Sequence, residues 1–163
     1  MARDHPDTYV KYHRGLKALV RDTDDSTRMH RETQVVWLWG PTGVGKTRAA
    51  WEYTKEADLE LFPKNDTKWW DGYTGQDVVL FDDFRAHHHD FAYLLRVFDR
   101  YDMIVESKGD SGKLTCSKFI VTTPKDIEDT YTGTTFADVE GIEQLHRRCT
   151  EVRVESWEQG RRQ

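Results

Sequence analysis

The sequence has few cysteines and no long apolar run. Its two cysteines, Cys116 and Cys149, are too few for a disulfide framework or a four-cysteine zinc site, and each lies beside an apparent strand. We therefore expect reduced, partly buried thiols. No segment approaches the about 18 consecutive apolar residues of a membrane-spanning helix, and the polar start from Met1 to Thr8 has no apolar signal core. We expect an intracellular protein that is neither secreted nor inserted into a membrane.

Positive charge is also in short supply. The chain has 24 lysines and arginines against 29 acids, a formal net charge of -5. This balance argues against a protein that coats nucleic acid by bulk electrostatics, so any nucleic-acid contact must be local. What the chain does have is 37% hydrophobic residues and six tryptophans within 163 residues, which predicts one folded domain with a short appendage.

The appendage is predicted at the N-terminus. Apolar and aromatic residues there recur at spacings of three and four, which places them on one face of a helix beginning near Pro6: Tyr9, Tyr12, His13, Leu16, Leu19 and Val20. A helix this short must bury that face against the main domain or against other copies of itself. A polar linker, Arg21 to Thr33, follows. We assign residues 1–33 to an oligomerisation segment and linker, 34–157 to the core domain and 158–163 to a tail.

The core sequence alternates apolar strands with helical segments. Val35–Trp39 and Val78–Phe81 are continuous apolar runs, as expected for strands covered on both faces. The alternation predicts an α/β fold with a central, mainly parallel sheet flanked by crossover helices. The other predicted elements are helices at Lys46–Ala57, Phe91–Phe98 and Ala137–Arg147, a hairpin with a tip at Gly109–Gly112, a strand at Phe119–Thr123 and a closing strand with Val152 and Val154.

A phosphate-binding pattern lies between the first strand and the first core helix. It consists of Gly40, Pro41, Thr42, Gly43, Val44, Gly45, Lys46 and Thr47. Its glycines let backbone N–H groups turn toward phosphates, and the following helix adds its positive N-terminal end. Lys46 is predicted to reach the β- and γ-phosphates and the Thr47 hydroxyl to ligate Mg²⁺. The pattern predicts a P-loop nucleotide hydrolase.

Two acids follow the strand Val78–Phe81. Asp82 and Asp83 should emerge at the carboxyl edge of the sheet, where the phosphate loop also lies. We expect Asp82 to orient Mg²⁺ through water and Asp83 to polarise the attacking water as general base.

Several short segments together carry a more specific resemblance. They are Lys68–Tyr73, Val79–Phe84, Leu94–Arg96, Asp99–Tyr101 and Val105–Gly109. In order and spacing they resemble the superfamily 3 helicase domain of circovirus-type replication initiator (Rep) proteins, over roughly residues 9 to 157. The resemblance implies an AAA+-type ATPase that binds ATP and Mg²⁺ and assembles as a hexameric ring around single-stranded DNA. It also implies 3′-to-5′ unwinding during rolling-circle replication, in the host cell nucleus.

The same resemblance assigns further site residues. The family's third motif falls on Val121–Pro124, where Pro124 replaces the usual sensor asparagine, so that Thr122 or Thr123 is expected to supply the polar contact. Lys108, Lys113 and Lys118 bracket the hairpin, which in this family touches the DNA backbone. The resemblance implies Lys108, Gly109 and Lys113 as the DNA contacts, with Lys108 the strongest candidate. An arginine pair, Arg147 and Arg148, includes a candidate finger for a neighbour's nucleotide, and the sequence does not choose between the two.

Other features point away from additional chemistry. The run His87–His89 lacks the cysteine or carboxylate spacing of a metal site, and Trp69 and Trp70 are expected to pack in the core rather than to stack on bases. The nuclease motifs usual in replication initiators, a His-hydrophobic-His triplet and Tyr-x-x-Lys, are missing, which suggests a helicase fragment without origin nicking. A small P-loop phosphotransferase and an oligomeric ATP-binding scaffold without productive turnover remain as alternatives.

Overall fold

The computed structural model describes residues 31–155, and a five-stranded sheet runs through their centre. Every pairing in that sheet is parallel, with the strand order β2-β3-β6-β1-β7. The strands are β1 (Gln34–Trp39), β2 (Leu61–Lys64), β3 (Val78–Phe81), β6 (Lys118–Thr123) and β7 (Cys149–Arg153). This sheet confirms the predicted α/β class.

Four helices and one hairpin complete the described part of the chain. The helices are α1 (Lys46–Glu56), α2 (Phe91–Val97), α3 (Ile127–Tyr131) and α4 (Val139–Arg148). The hairpin pairs β4 (Ile104–Ser107) with β5 (Asp110–Lys113) in antiparallel register, apart from the main sheet. None of the helices within residues 31–155 is long and apolar enough to cross a membrane.

The apolar runs form strands because both faces of the sheet are covered. Side chains alternate along each strand, so Trp37 packs in one core cluster while its neighbour Leu38 packs in the other. The cluster on one face is rich in aromatic rings, including Phe81, Phe98 and Phe119. The opposite cluster is aliphatic and includes Ala49 and Ala50 of α1. A strand buried on both sides requires this continuous apolar pattern.

The register aligns the carboxyl ends of the central strands. Trp39 pairs with Thr123, and Phe81 pairs with Val121, so β1, β3 and β6 end at the same edge. The phosphate loop, the acid pair and the threonines of the third motif therefore meet there, as the sequence predicted.

Some element boundaries differ from the prediction. The hairpin turn is formed by Lys108 and Gly109, whereas Gly112 lies inside β5. Helix α4 begins at Val139 because Asp138 caps it, its carboxylate accepting from the N–H of Gly141 at 2.7 Å. The strand β2 and the short helix α3 were not predicted. Strand β2 contains Pro63, which an edge strand tolerates.

The core contacts reach upstream of the predicted start near Gln34. The Arg31 side chain is 7% exposed, and its guanidinium donates to the carbonyl oxygens of Cys116, Val97, Asp99 and Tyr101 at 2.9 to 3.3 Å. Burial lowers its pKa from the ordinary value. The predicted helix from Tyr9 to Val20 lies outside the described residues.

Candidate functional site

The glycines of the phosphate loop have two different structural roles. Gly43 and Gly45 have φ of 84° and 88°, a left-handed conformation that favours glycine, and Gly45 leads directly into α1. Gly40 has φ of 150°, and a Cβ there would lie 2.2 Å from the carbonyl oxygen of Val154. Gly40 is thus required by the chain after β7, while Gly43 and Gly45 shape the loop itself.

The Lys46 side chain folds back over the loop. Its Nζ donates to the carbonyl oxygens of Gly40 at 2.7 Å and Pro41 at 2.8 Å. Burial lowers the pKa of Lys46, an effect that Asp83 opposes and Arg85 reinforces. The ammonium is therefore held at the mouth of the loop, within electrostatic reach of both residues.

Asp82 joins the loop to the third motif. Its Oδ1 accepts from the Thr47 hydroxyl at 2.5 Å and from the Thr122 hydroxyl at 2.7 Å. The Thr122 oxygen also accepts from the backbone N–H of Asp83 at 2.9 Å. One threonine thus orients the first acid and fixes the backbone of the second.

The two threonines of the third motif, Thr122 and Thr123, have different hydrogen-bond partners. Both are about 1% exposed, but Thr123 donates to the carbonyl oxygen of Phe84 at 3.0 Å and does not reach the acids. The backbone N–H of Phe84 in turn donates to the Thr122 carbonyl oxygen at 2.7 Å. Thr122 is the member that contacts the site, and Thr123 holds the segment after the acid pair against β6.

The oxygens of Thr47 and Asp82 suit a magnesium ion. They are hard ligands, they lie within 2.5 Å of each other and their contact is solvent-exposed. Within residues 31–155 no cluster of three or more histidines, cysteines or acids could hold a metal. An ion at this place would therefore depend on phosphate oxygens and water for its other ligands, which is the usual situation for Mg²⁺ beside a bound nucleotide.

Asp83 has an arginine partner that the sequence analysis missed. Its backbone is left-handed, with φ of 49°, and its Oδ1 lies 2.9 Å from Nη1 of Arg85. Arg85 Nη1 also donates to the carbonyl oxygen of Phe84, and the Arg85 N–H donates to Nδ1 of His88. The signal available was proximity alone, since Arg85 follows the acid pair by two residues.

His89, the last residue of the histidine run after Arg85, packs on the core. The His89 ring lies 5.5 Å from the ring of Phe81 and 6.3 Å from that of Phe84. Burial, with the nearby charge of Lys64, lowers its pKa to about 4. His87 and His88 contact each other edge to face at 4.8 Å. His89 therefore has a packing role, while His87 is exposed.

The hairpin presents its turn to solvent. Lys108 and Gly109 are exposed, and Gly109 has φ of 84°. Lys113 is also exposed, but its Nζ lies 2.8 Å from a carboxylate oxygen of Asp102. Lys118, which the sequence placed beside the hairpin, is only 7% exposed and begins β6 in the main sheet. Lys108 is therefore the best placed of these lysines for a phosphate contact.

The hairpin is attached to the segment that contains the two tryptophans. The Trp70 N–H donates to the carbonyl oxygen of Glu106 at 2.9 Å, and the Lys108 N–H donates to Asp71 Oδ1 at 2.7 Å. Trp70 is fully buried, with its indole N–H donating to the Tyr93 hydroxyl at 2.7 Å, which confirms its core role. Trp69 is only half-buried and belongs to neither core cluster.

The arginine pair at the end of α4 is divided between two environments. Arg148 donates to the Gln144 carbonyl oxygen at 2.9 Å and lies 3.7 Å from Asp99, with 26% of its side chain exposed. Arg147 keeps 77% of its side chain exposed and lies 3.9 Å from Glu143. Arg147 is therefore free to extend toward another molecule, while Arg148 joins α4 to the end of α2.

The chain is similar to known proteins over most of its length. A family model described as RNA helicase matches residues 36–124, more than half of the chain. The Replication-associated protein of Goose circovirus is 40% identical over 131 residues, which are 80% of this chain and 43% of that protein. The Replication-associated protein of Porcine circovirus 2 is 33% identical over 153 residues, which are 93% of this chain and 47% of that protein. The chain thus spans less than half the length of these curated relatives.

Solved structures give the same fold at low identity. A primosome component from Streptococcus pyogenes serotype M3 has a TM-score of 0.56 at 14% identity, covering 92% of this chain and 81% of that one. NtrX from Brucella abortus, solved in complex with ATP, has a TM-score of 0.57 at 15% identity, covering 91% of this chain and 37% of that one. At these identities the likeness shows the fold alone, an α/β fold with a central parallel sheet.

Proposed function

Because this chain belongs to the superfamily 3 RNA helicase family and carries the helicase domain found in circovirus Replication-associated proteins, we propose that it is an ATP-dependent DNA helicase. ATP hydrolysis drives translocation along single-stranded DNA and duplex unwinding in viral rolling-circle replication. The observation that carries the proposal is the contact of Asp82 with both Thr47 and Thr122, which joins phosphate loop, acid pair and third motif in one site.

Each residue has a defined task in hydrolysis. Lys46 exchanges the carbonyl oxygens of Gly40 and Pro41 for phosphate oxygens, because its Nζ already lies at the mouth of the loop. Thr47 and Asp82 would hold Mg²⁺, which would neutralise charge on the phosphates. Asp83 accepts the proton of the attacking water, and Thr122 keeps the backbone of Asp83 in place.

The hairpin supplies the DNA contact. One exposed lysine at its turn binds a phosphate weakly, but six copies around a ring would concentrate positive charge on the strand. This arrangement reconciles DNA binding with a net charge of -5. We propose Lys108, Gly109 and Lys113 as the contacting residues, with Lys108 carrying most of the effect because Lys113 is paired with Asp102.

The assembly proposed is a homo-oligomeric, hexameric ring with Arg147 or Arg148 reaching the nucleotide of the neighbouring subunit. The apolar face from Tyr9 to Val20 is proposed to hold the subunits together, so polar substitution of Leu16 and Leu19 should reduce the mass measured by light scattering. The similarity to viral Replication-associated proteins supports a proposed site of action in the host cell nucleus.

The decisive test is ATPase activity with and without single-stranded DNA. We expect DNA to stimulate turnover, Lys46→Ala to abolish it, and Lys108→Ala to lose the stimulation while keeping basal turnover. Lys55→Ala is the matched control, because Lys55 is an exposed lysine near the end of α1, away from the hairpin.

Three outcomes would contradict the proposal. Turnover that DNA leaves unchanged would favour a phosphotransferase, and ATP binding without turnover would favour a scaffold. Stimulation by single-stranded RNA but not DNA would contradict the choice of nucleic acid. Unwinding of duplexes with a 3′ or a 5′ tail then tests the expected 3′-to-5′ direction.

A further inference from the structure

Trp69 is less buried than the neighbouring aromatic residue Trp70. Its neighbour Trp70 is fully buried and stacks on Phe62, with ring centroids 6.0 Å apart. Trp69 is half-buried and contributes to neither core cluster. The sequence expectation that both tryptophans pack in the core is therefore confirmed for Trp70 and wrong for Trp69, because only one of two adjacent rings can point into the core here.

The face of the Trp69 ring is covered by a cation. The Nζ of Lys68 lies 4.4 Å from the ring centroid, and Lys68 itself is exposed. A cation over a half-buried aromatic ring at the surface is a weak contact, which a better partner can replace. An aromatic ring beside an exposed positive charge is a combination that binds single strands, because a base can stack on the ring and the neighbouring phosphate can bind the cation.

The backbone holds Trp69 at a fixed place beside the hairpin. The N–H of Trp69 donates to the Thr67 hydroxyl at 3.3 Å. The next residue, Trp70, donates its N–H to Glu106 and accepts at its carbonyl from the Ser107 hydroxyl at 3.2 Å. Asp71 then accepts from the N–H of Lys108. Trp69 is thus joined through short hydrogen-bonded steps to the turn proposed to contact DNA.

We propose that Trp69 and Lys68 form a second nucleic-acid contact, in which the indole stacks on a base and Lys68 binds the adjacent phosphate. The inference rests on the proposed function, because it places this contact on the same single strand that the hairpin binds. It adds a base-dependent contact to the phosphate-dependent contact of Lys108. The two differ in their response to salt, since phosphate neutralisation releases counterions and stacking does not.

The test measures binding of a fluorescent oligothymidine and of an abasic strand of equal length over a series of salt concentrations. Trp69→Leu keeps apolar bulk but removes the aromatic face, and we expect it to weaken oligothymidine binding by about fivefold or more, which is the effect of losing one stacked base. The slope of the logarithm of the binding constant against the logarithm of salt concentration should stay unchanged. The variant should bind the abasic strand as tightly as the unsubstituted protein does. Trp69→Phe should recover part of the affinity.

Lys108→Ala provides the contrasting variant. It should weaken both strands alike and reduce the salt slope by about 0.7 for each phosphate that the protein no longer neutralises. Unchanged thermal unfolding of Trp69→Leu would show that its fold is intact.

The outcomes separate this inference from the proposed function. If the unsubstituted protein binds oligothymidine and Trp69→Leu binds it equally well, the stacking contact is wrong and the helicase proposal stands. Equal weakening of both strands in Trp69→Leu would likewise overturn the stacking contact. If the unsubstituted protein binds neither strand, the proposed function and this inference both fail.

Discussion

The Thr122 hydroxyl donates to Asp82 at 2.7 Å while its oxygen accepts from the backbone N–H of Asp83 at 2.9 Å. This single side chain connects the end of β6 to both acids after β3. It is 1% exposed, so water cannot replace either contact without rearrangement. The third motif therefore has a polar contact to the acid pair even though Pro124 stands where the family commonly has asparagine.

Thr122→Val should impair hydrolysis. The substitution keeps the shape of the side chain but removes the donor to Asp82 and the acceptor for Asp83, so both acids lose orientation. We expect kcat to fall by about tenfold or more, because a hydrogen bond to a charged group is worth about 1.5 to 3 kcal/mol. Steady-state ATPase assays over a Mg²⁺ titration measure the effect. Thr122→Ser should recover most of the activity, and a Thr122→Val enzyme with normal kcat would contradict this role.

The arginine pair gives a second prediction, in which the two neighbours behave oppositely. Arg147→Ala should leave thermal unfolding unchanged, because Arg147 is 77% exposed and its contact with Glu143 is 3.9 Å long. It should nevertheless abolish ATPase activity if Arg147 completes the neighbouring site. Arg148→Ala should lower stability by about 1 kcal/mol, because it removes the hydrogen bond to Gln144 and the pairing with Asp99.

A subunit-mixing experiment checks the shared site directly. Asp83→Asn and Arg147→Ala subunits, each inactive alone, should recover activity when mixed. Some interfaces then combine an intact Asp83 from one subunit with an intact Arg147 from its neighbour. Absence of recovery would contradict a finger at Arg147, and recovery with Arg148→Ala in its place would assign the role to Arg148.

The third prediction separates two glycines of the phosphate loop. Gly40→Ala should destabilise the whole fold, because its Cβ would lie 2.2 Å from the backbone carbonyl oxygen of Val154. Gly43→Ala meets no atom within 4 Å and is penalised only by its left-handed backbone, at φ of 84°. That strain costs about 1 kcal/mol, so the variant should fold and lose nucleotide affinity instead. Urea unfolding together with ATP binding distinguishes the two effects, and equal unfolding midpoints for the two variants would contradict the assignment.

The sequence predicted those parts of the site that depend on local pattern. The phosphate loop and the acid pair each follow an apolar strand. Recognising these two parallel strands was enough to predict that Lys46 and Asp82 lie at the same edge of the sheet. Arg31 falls in the predicted polar linker because its acceptors lie 66 to 85 residues away, beyond any local signal. Arg85 was missed for a different reason, since nothing in its spacing distinguishes a partner of Asp83 from an ordinary surface arginine.

The last prediction concerns acid stability and His89. Its folded-state pKa of about 4 lies below the ordinary value of 6.5, chiefly because the ring is desolvated against Phe81 and Phe84. As pH falls below 6.5, His89 is protonated in the unfolded chain. In the folded protein it stays neutral until about pH 4. The contribution of neutral His89 to the free energy of unfolding is therefore complete above pH 6.5. It is lost as pH falls toward 4, by up to about 1.4 kcal/mol per pH unit.

His89→Phe should flatten that part of the stability profile, because phenylalanine keeps the ring packing and cannot be protonated. His87→Phe is the matched control, since His87 is exposed and should leave the slope unchanged. Urea unfolding between pH 4 and pH 7 measures the free energy of unfolding for each variant. A His89→Phe profile as steep as that of the unsubstituted protein would contradict the assignment.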